Sequence, residues 1–277
     1  MTEFLSSIGL DFLFKGFMLN ALLAVLMSSV LFGAIGTMAV DNKMAFFSDA
    51  LGHSATTGIA LGIMFGVENE LISLIAFGIV IALIINKVRT SGTASTDTVI
   101  SVFASASIAV GLMLLSKNQS AAQYSSYLVG DILSVTKSEL VFLLISMIVI
   151  LVLWGVIYNR LMLVSINRTF ASSRGIRTSL YENLFCAIIA VVVMLSIRWV
   201  GILLINSLLI LPAAAARNIS RNVRQYHLFS IIIALISSVG GLIMSWYIGA
   251  SSSASIVVVL TIVFVITFLL RRKSGRD

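Results

Sequence analysis

The chain has 277 residues, of which 59% are hydrophobic and only 10% are charged, and its mean hydropathy is +1.10. Because soluble domains carry about 25% charged residues, this composition excludes an ordinary water-soluble domain, and it also excludes a disordered chain. The formal net charge of +7 is expected in the cytoplasmic loops of a membrane protein, so we expect no nucleic-acid partner. Cys186 is the only cysteine, which excludes an intrachain disulfide and a thiolate metal cluster.

The apolar segments are long enough to cross a bilayer, since about 20 helical residues span its hydrocarbon core. Only Arg198 and Trp199 separate the sixth segment from the seventh, and the third is short, so the count is eight or nine. The sequence therefore predicts an all-α polytopic membrane protein, a bundle of eight or nine transmembrane helices in a single domain over residues 1–277. In chain order the segments fall at 17–40, 44–66, 71–86, 98–116, 139–159, 181–197, 199–216, 226–248 and 254–270.

The connections between these segments alternate in charge. Glu68 and Glu70 follow the second segment, whereas basic residues follow the third, fifth, seventh and ninth, as at Arg89, Arg217 and Arg271. Lysine and arginine accumulate on the cytoplasmic side, so the C-terminus is expected inside the cell. Nine spans then place the N-terminus outside, and eight place it inside.

Two connections are longer than a turn requires. Residues 117–138 are expected outside, where the semi-apolar stretch Tyr127–Val135 suggests a re-entrant or interfacial segment. Residues 160–180 are expected inside and carry four arginines with no acidic residue. This loop is either a plain orientation signal or a docking element for a cytoplasmic partner.

Motifs for common enzymatic chemistry are missing. No lysine follows a glycine, so no phosphate-binding P-loop can be written anywhere in the chain. The two histidines are too few for a three-histidine zinc hydrolase, and no His-Glu-x-x-His motif occurs. The sequence therefore predicts that the chain is not an enzyme.

Asp49 and His53 are the ionisable residues that stand out inside a span, where charged groups are costly and usually line a cavity. Because they are four residues apart, they share one face of a helix, with Cβ atoms about 5–6 Å apart. A carboxylate and an imidazole at that distance can hold one divalent cation together. Two other interpretations remain open at this stage, a hydrogen bond that stabilises a polar helix start and a proton relay.

Several motifs, taken together and in order, resemble those of bacterial ATP-binding-cassette permeases for zinc, manganese or iron, the ABC-3 permeases. The resemblance extends from about residue 17 to 270, and it implies a homodimeric permease in the bacterial cell membrane with no covalently bound cofactor. It also implies cytoplasmic ATPase subunits, an extracytoplasmic metal-binding protein, and Asp49 and His53 as pore-lining metal ligands. The matching segments are Phe46–Ser54 followed by Gly58–Leu61, then Asp97-Thr98, Tyr127–Leu133, and Val200–Arg217.

The sequence departs from the family pattern at two places. Many relatives carry a histidine in the segment that here reads Phe103–Ala106, which contains none. The cytoplasmic loop of the family has an acid, an alanine four residues on, and a glycine four further; here Asn167, Ala171 and Gly175 match that spacing, with asparagine in place of the acid. The resemblance still identifies the loop at about 160–180 as the element that couples the permease to its ATPase.

One chain supplies only Asp49 and His53, too few for a closed tetrahedral zinc site, which needs four ligands. A twofold dimer doubles them to two carboxylates and two imidazoles. This set suits zinc and also accepts manganese, with iron as a further candidate. The segment at 206–217 resembles that of zinc permeases most, and this resemblance favours zinc. Two alternatives remain, a secondary transporter driven by an ion gradient, with Asp49 carrying the charge, and a purely structural membrane scaffold.

Overall fold

The structure is a computed structural model that describes residues 16–92, 94–116, 130 and 132–271. Within these residues the chain forms ten α-helices, one short 3-10 turn at Ile132–Ser134, and no strand. The helices are α1 Gly16–Asp41, α2 Phe47–Met64, α3 Glu70–Thr90, α4 Thr96–Ser116, α5 Lys137–Ile166, α6 Arg168–Ser173, α7 Thr178–Val200, α8 Ile202–Ile219, α9 Val223–Ile248 and α10 Ser252–Leu269.

Nine of the helices in the described residues are long, and eight of them are apolar enough to cross a membrane. The exception is α2, whose 18 residues include Asp49, His53 and several serine and threonine residues. The prediction of an all-α polytopic bundle with eight or nine transmembrane helices is therefore confirmed. The one long helix that is not among the apolar eight is the helix that carries the candidate metal ligands.

Some predicted boundaries differ from those in the structure. The break expected at Arg198 and Trp199 lies instead at Gly201, whose φ of +79° ends α7 and begins α8. Arg198 and Trp199 remain helical, and the Trp199 indole Nε1 donates a hydrogen bond to the Glu139 carboxylate at 3.0 Å. A charge in the sequence therefore does not mark the helix end; the residue able to adopt a positive φ does. The segment 117–138 lies mostly outside the described residues.

The helices pack as two groups. The first group consists of α1, α8, α9 and α10, and the second consists of α2, α3, α4 and α7, while α5 contacts both α1 and α7. Contacts between the groups are sparse by comparison, and α2 meets α8 along a short stretch only. The seam between the two groups therefore passes between α2 and α8.

Small and hydroxylated residues hold the first group together, as is usual where lipid offers no hydrophobic drive for helix association. Gly36 of α1 lies directly against the backbone carbonyl of Leu209 in α8, so no side chain fits between them. The Ser29 hydroxyl donates to that of Ser238 in α9 at 2.7 Å. A close backbone approach and a hydroxyl hydrogen bond thus join α1 to α8 and to α9 in one tightly packed unit.

The second group uses the same kind of contact around α2. Gly111 of α4 lies against Thr56 and Thr57, and the Thr57 hydroxyl donates to the Ser107 carbonyl. On the opposite side, Gly58 lies against Leu74 of α3. Because α3 and α4 both pack closely on α2, they fix how that helix is rotated and which of its faces stays uncovered.

Candidate metal-ion site within the helix bundle

Asp49 and His53 lie on one face at the beginning of α2. His53 Nε2 is 3.5 Å from Asp49 Oδ1, as expected for residues one helical turn apart. In the single chain the Asp49 side chain is 42% exposed and that of His53 is 30% exposed. The pair is therefore assembled within one helix and is open on one side.

Asn206 of α8 completes this group of polar side chains from across the seam. Its Nδ2 donates a hydrogen bond to Asp49 Oδ1 at 2.7 Å. Its Oδ1 is buried and has no hydrogen-bond partner among the described residues. Amide oxygens are cation ligands, so the free oxygen adds a third kind of donor beside the carboxylate and the imidazole.

Sequence reasoning did not identify Asn206 as a site residue. The signal was present, since an amide inside an otherwise apolar span must find a polar partner. The partner could not be deduced, because Asp49 lies 157 residues away in the sequence. Only the packing of α8 on α2, where Gly52 lies against the Ile202 side chain, brings them together.

The distance of the site from the end of α8 can be counted along the axis of that helix. Arg217, near the end of α8, pairs with Asp41 at the end of α1, with Nη1 3.5 Å from Oδ1. At 1.5 Å per residue, Asn206 lies roughly 16 Å from Arg217 along the helix. This is about half the thickness of a hydrocarbon core of about 30 Å. If Arg217 and Asp41 lie at the membrane boundary, Asp49 and Asn206 lie near the midplane.

One chain does not close a metal cage. The described part of the chain contains no cluster of three or more histidine, cysteine, aspartate or glutamate residues that could hold an ion. Asp49 and His53 offer one carboxylate and one imidazole, and Asn206 offers an amide oxygen. Such a set can bind a divalent ion weakly or complete a site with ligands from a second chain.

The second histidine is held elsewhere, by two hydroxyl groups. His227 Nδ1 lies 2.6 Å from the Thr37 hydroxyl, and Nε2 lies 2.7 Å from that of Tyr158. Both ring nitrogens therefore have partners, and the contacts join α9 to α1 and α5. His227 connects helices and does not belong to the group around Asp49.

The three residues predicted for coupling lie together in and around the short helix α6. Asn167 caps its N-terminus, because its side-chain oxygen accepts a hydrogen bond from the Phe170 amide at 2.9 Å. Ala171 is fully buried, and Gly175 follows the helix with a φ of +75°. Asparagine and aspartate are equally good N-caps, so the departure from the family pattern preserves this local structure.

Eight apolar helices long enough to cross a membrane, packed with one polar helix that carries Asp49 and His53, define a polytopic membrane protein among the described residues. The family model of the ABC 3 transport family matches residues 15–271. The chain belongs to this family, which makes it a multi-pass permease subunit of an ATP-binding-cassette transporter in the bacterial inner membrane.

Relatives match nearly the whole chain. The high-affinity zinc uptake system membrane protein ZnuB of Haemophilus influenzae is 28% identical over 91% of this chain and 97% of its own length. The manganese transport system membrane protein MntC of Listeria innocua is 28% identical, over 94% of this chain and 92% of its own length. Among solved structures, PsaBC from Streptococcus pneumoniae in complex with Fab matches with a TM-score of 0.82 and 25% identity, over 98% of this chain and 96% of that one.

Proposed function

We propose that this chain imports a divalent transition metal ion, zinc in the first place and manganese next, with iron a third candidate. It works as a homodimer, with cytoplasmic ATPase subunits that hydrolyse ATP and an extracytoplasmic protein that delivers the ion. Family membership and relatives named for zinc and manganese transport support this assignment. The exposed side of the Asp49–His53 pair supports the passage of the ion at these two residues.

The observation that carries the proposal is the open side of the Asp49–His53 pair. With Arg217 and Asp41 at the membrane boundary, Asp49 lies near the middle of the bilayer, where a carboxylate that is 42% exposed in the single chain is too costly to face lipid. It must face a water-filled path or a second subunit. A twofold axis beside α2 meets both needs, because two copies of the pair give two carboxylates and two imidazoles around one passage. Such a set binds zinc, and its carboxylates also accept manganese.

We further propose an outside N-terminus and a cytoplasmic C-terminus for a single domain over 1–277. Nine long helices in the described residues, with basic residues at the ends of α3 and α8, support this orientation. The basic loop at about 160–180 then faces the ATPase, and α6 is the element of the permease that docks on it. ATP binding would bring two such loops together and switch the pore between its outward and inward states.

Uptake of zinc, manganese and iron into cells tests the site. Asp49→Asn and His53→Ala should each abolish or strongly reduce uptake of the native metal, because either change removes a ligand from both halves of the dimer. Asp97→Asn is the matched control, since Asp97 is an exposed carboxylate in the first turn of a different helix, α4. Normal uptake of all three metals by correctly inserted Asp49 and His53 variants would contradict the assignment.

A second experiment tests coupling through α6. Ala171→Pro places a proline inside a six-residue helix at a cost of about 3 kcal/mol, which should destroy the docking element. We expect loss of uptake and of ATPase stimulation in reconstituted complexes, with the membrane domain still folded. Ser172→Ala, on an exposed position of the same helix, should behave as wild type. Uptake that follows a proton gradient and ignores ATP would instead favour a secondary transporter.

A further inference from the structure

A cavity of about 540 Å³ opens between α5 and α7 beside the loop that carries α6. Three of its described lining residues are arginines, and none of the described lining residues carries a carboxylate. The lining consists of Arg160, Arg174, Gly175, Ile176, Arg177, Leu180 and Tyr181.

The acid nearest to the lining residues in the sequence does not neutralise the positive charge of this cavity. Glu182 follows Tyr181 in the chain, but its side chain is almost fully buried and pairs with Arg168, at 3.2 Å between Oε2 and Nη2. Arg160 donates to the Tyr181 hydroxyl and lies over the Tyr181 ring, 5.5 Å from its centroid. A guanidinium has five N–H donors in a fixed fork, so Arg160 keeps donors for an anion.

Arg160 lies where the apolar part of α5 ends. From Leu140 to Asn159 the helix contains no charged residue, and at 1.5 Å per residue these positions span about 30 Å. This equals the thickness of a hydrocarbon core, so Arg160 lies at the level of the phosphate groups when the apolar segment fills that core. The height of the cavity therefore matches that of lipid headgroups.

An exposed apolar stripe on α5 leads directly to Arg160. Its members follow one another at spacings of four, three and four residues, with exposed fractions between 51% and 74%, and Arg160 is the next position on the same face. On α7, Leu180 and Leu184 are also exposed, at 48% and 41%. Acyl chains can lie against this surface while a headgroup enters the cavity. The α5 stripe is Ile145, Val149, Val152 and Val156.

We propose that this cavity binds the phosphate group of an anionic phospholipid from the inner leaflet, with its acyl chains along the α5 stripe. Arginine pairs with phosphate in a bidentate geometry, and the apolar stripe favours a lipid over a free anion or an acidic protein surface. The proposal rests on the cytoplasmic orientation of this loop given above. Because Arg174 and Gly175 directly follow α6, a bound lipid would also hold the base of the coupling helix.

Native mass spectrometry of the purified full chain, with phosphatidylglycerol or phosphatidylcholine of identical acyl chains, tests this site. The wild type should retain phosphatidylglycerol preferentially. The double variant R160Q/R174Q should bind it about 25-fold more weakly, taking about fivefold for each arginine near an anionic group. R221Q/R224Q is the matched control, since it removes two exposed arginines on the same side of the chain that do not line the cavity.

A single-residue variant and a competition with inorganic phosphate complete the test. Arg177→Gln, at an exposed position, should reduce phosphatidylglycerol binding about fivefold, so the proposal can be tested even if the double variant misfolds. Inorganic phosphate at the lipid concentration should not displace the lipid. Equal retention by both double variants, or displacement of the lipid by inorganic phosphate, would each overturn the proposal. Asp49→Asn should leave lipid retention unchanged, so failure of the metal assignment is measured separately.

Discussion

Asn206 positions the carboxylate of Asp49, and replacing it with leucine should weaken metal transport. Asn206→Leu keeps the approximate size of the side chain but removes the Nδ2 donor that lies 2.7 Å from Asp49 Oδ1. It also removes the buried Oδ1, which has no partner among the described residues. The carboxylate then loses its only described link to α8 and can leave the orientation that it shares with His53.

The magnitude follows from the kind of bond that is lost. A hydrogen bond to a charged group contributes about 1.5–3 kcal/mol, which corresponds to roughly 10–150-fold in an equilibrium constant. Residues that orient metal ligands typically change metal affinity about 10–100-fold when they are replaced. We therefore expect the half-saturating metal concentration of Asn206→Leu to rise by about 10–100-fold.

Metal-dependent uptake by complete transporters, measured over a range of zinc and manganese concentrations, provides the assay. Ser207→Ala is the matched control, because the Ser207 hydroxyl donates only to the Leu203 carbonyl of its own helix at 2.8 Å. The control should keep the wild-type half-saturating concentration. If Asn206→Leu gives the same curve as Ser207→Ala at equal amounts in the membrane, Asn206 does not position Asp49 for the ion.

Two further outcomes are expected. Gly36→Ala would place a Cβ on the Leu209 carbonyl oxygen, a backbone atom that cannot move aside. Because overpacking usually costs about 1–3 kcal/mol, the thermal midpoint of this variant should fall below that of the wild type. Gly155→Ala, whose Cβ meets open space, should keep the wild-type midpoint. Asn167→Ala should remove the cap of α6 at a cost of about 1 kcal/mol and reduce ATP-driven uptake, whereas Asn167→Asp should keep both the cap and the uptake. Equal midpoints for the two glycine variants, or equal uptake for the two Asn167 variants, would refute these expectations.

Local patterns predicted much of this molecule correctly. Apolar length and charge identified the long helices, and the spacing of Asp49 and His53 placed them on one helix face, because both features depend on a single helix. The predicted end of α7 was wrong, because the charge of Arg198 was taken as the boundary and the helix instead ends where the backbone turns at Gly201.

Contacts between distant parts of the chain could not be predicted in this way. The bond between Asn206 and Asp49 depends on how α8 packs on α2, and neither helix contains information about its partner. The fixed position of His227 between Thr37 and Tyr158 is of the same kind, because it joins three helices. For such contacts a polar residue in an apolar span indicates that a partner exists, without indicating which one.

The division of the helices into two groups has a consequence for spectroscopy of the transport cycle. Asp49 belongs to one group and Asn206 to the other, so a rigid-body movement of one group against the other changes the separation between them while each group keeps its internal distances. Because Cys186 is fully buried, spin labels should react with new surface cysteines on α2 and α8 and leave Cys186 largely unlabelled. A distance distribution recorded across these two helices, with and without ATP, would then report directly on which state of the pore is populated.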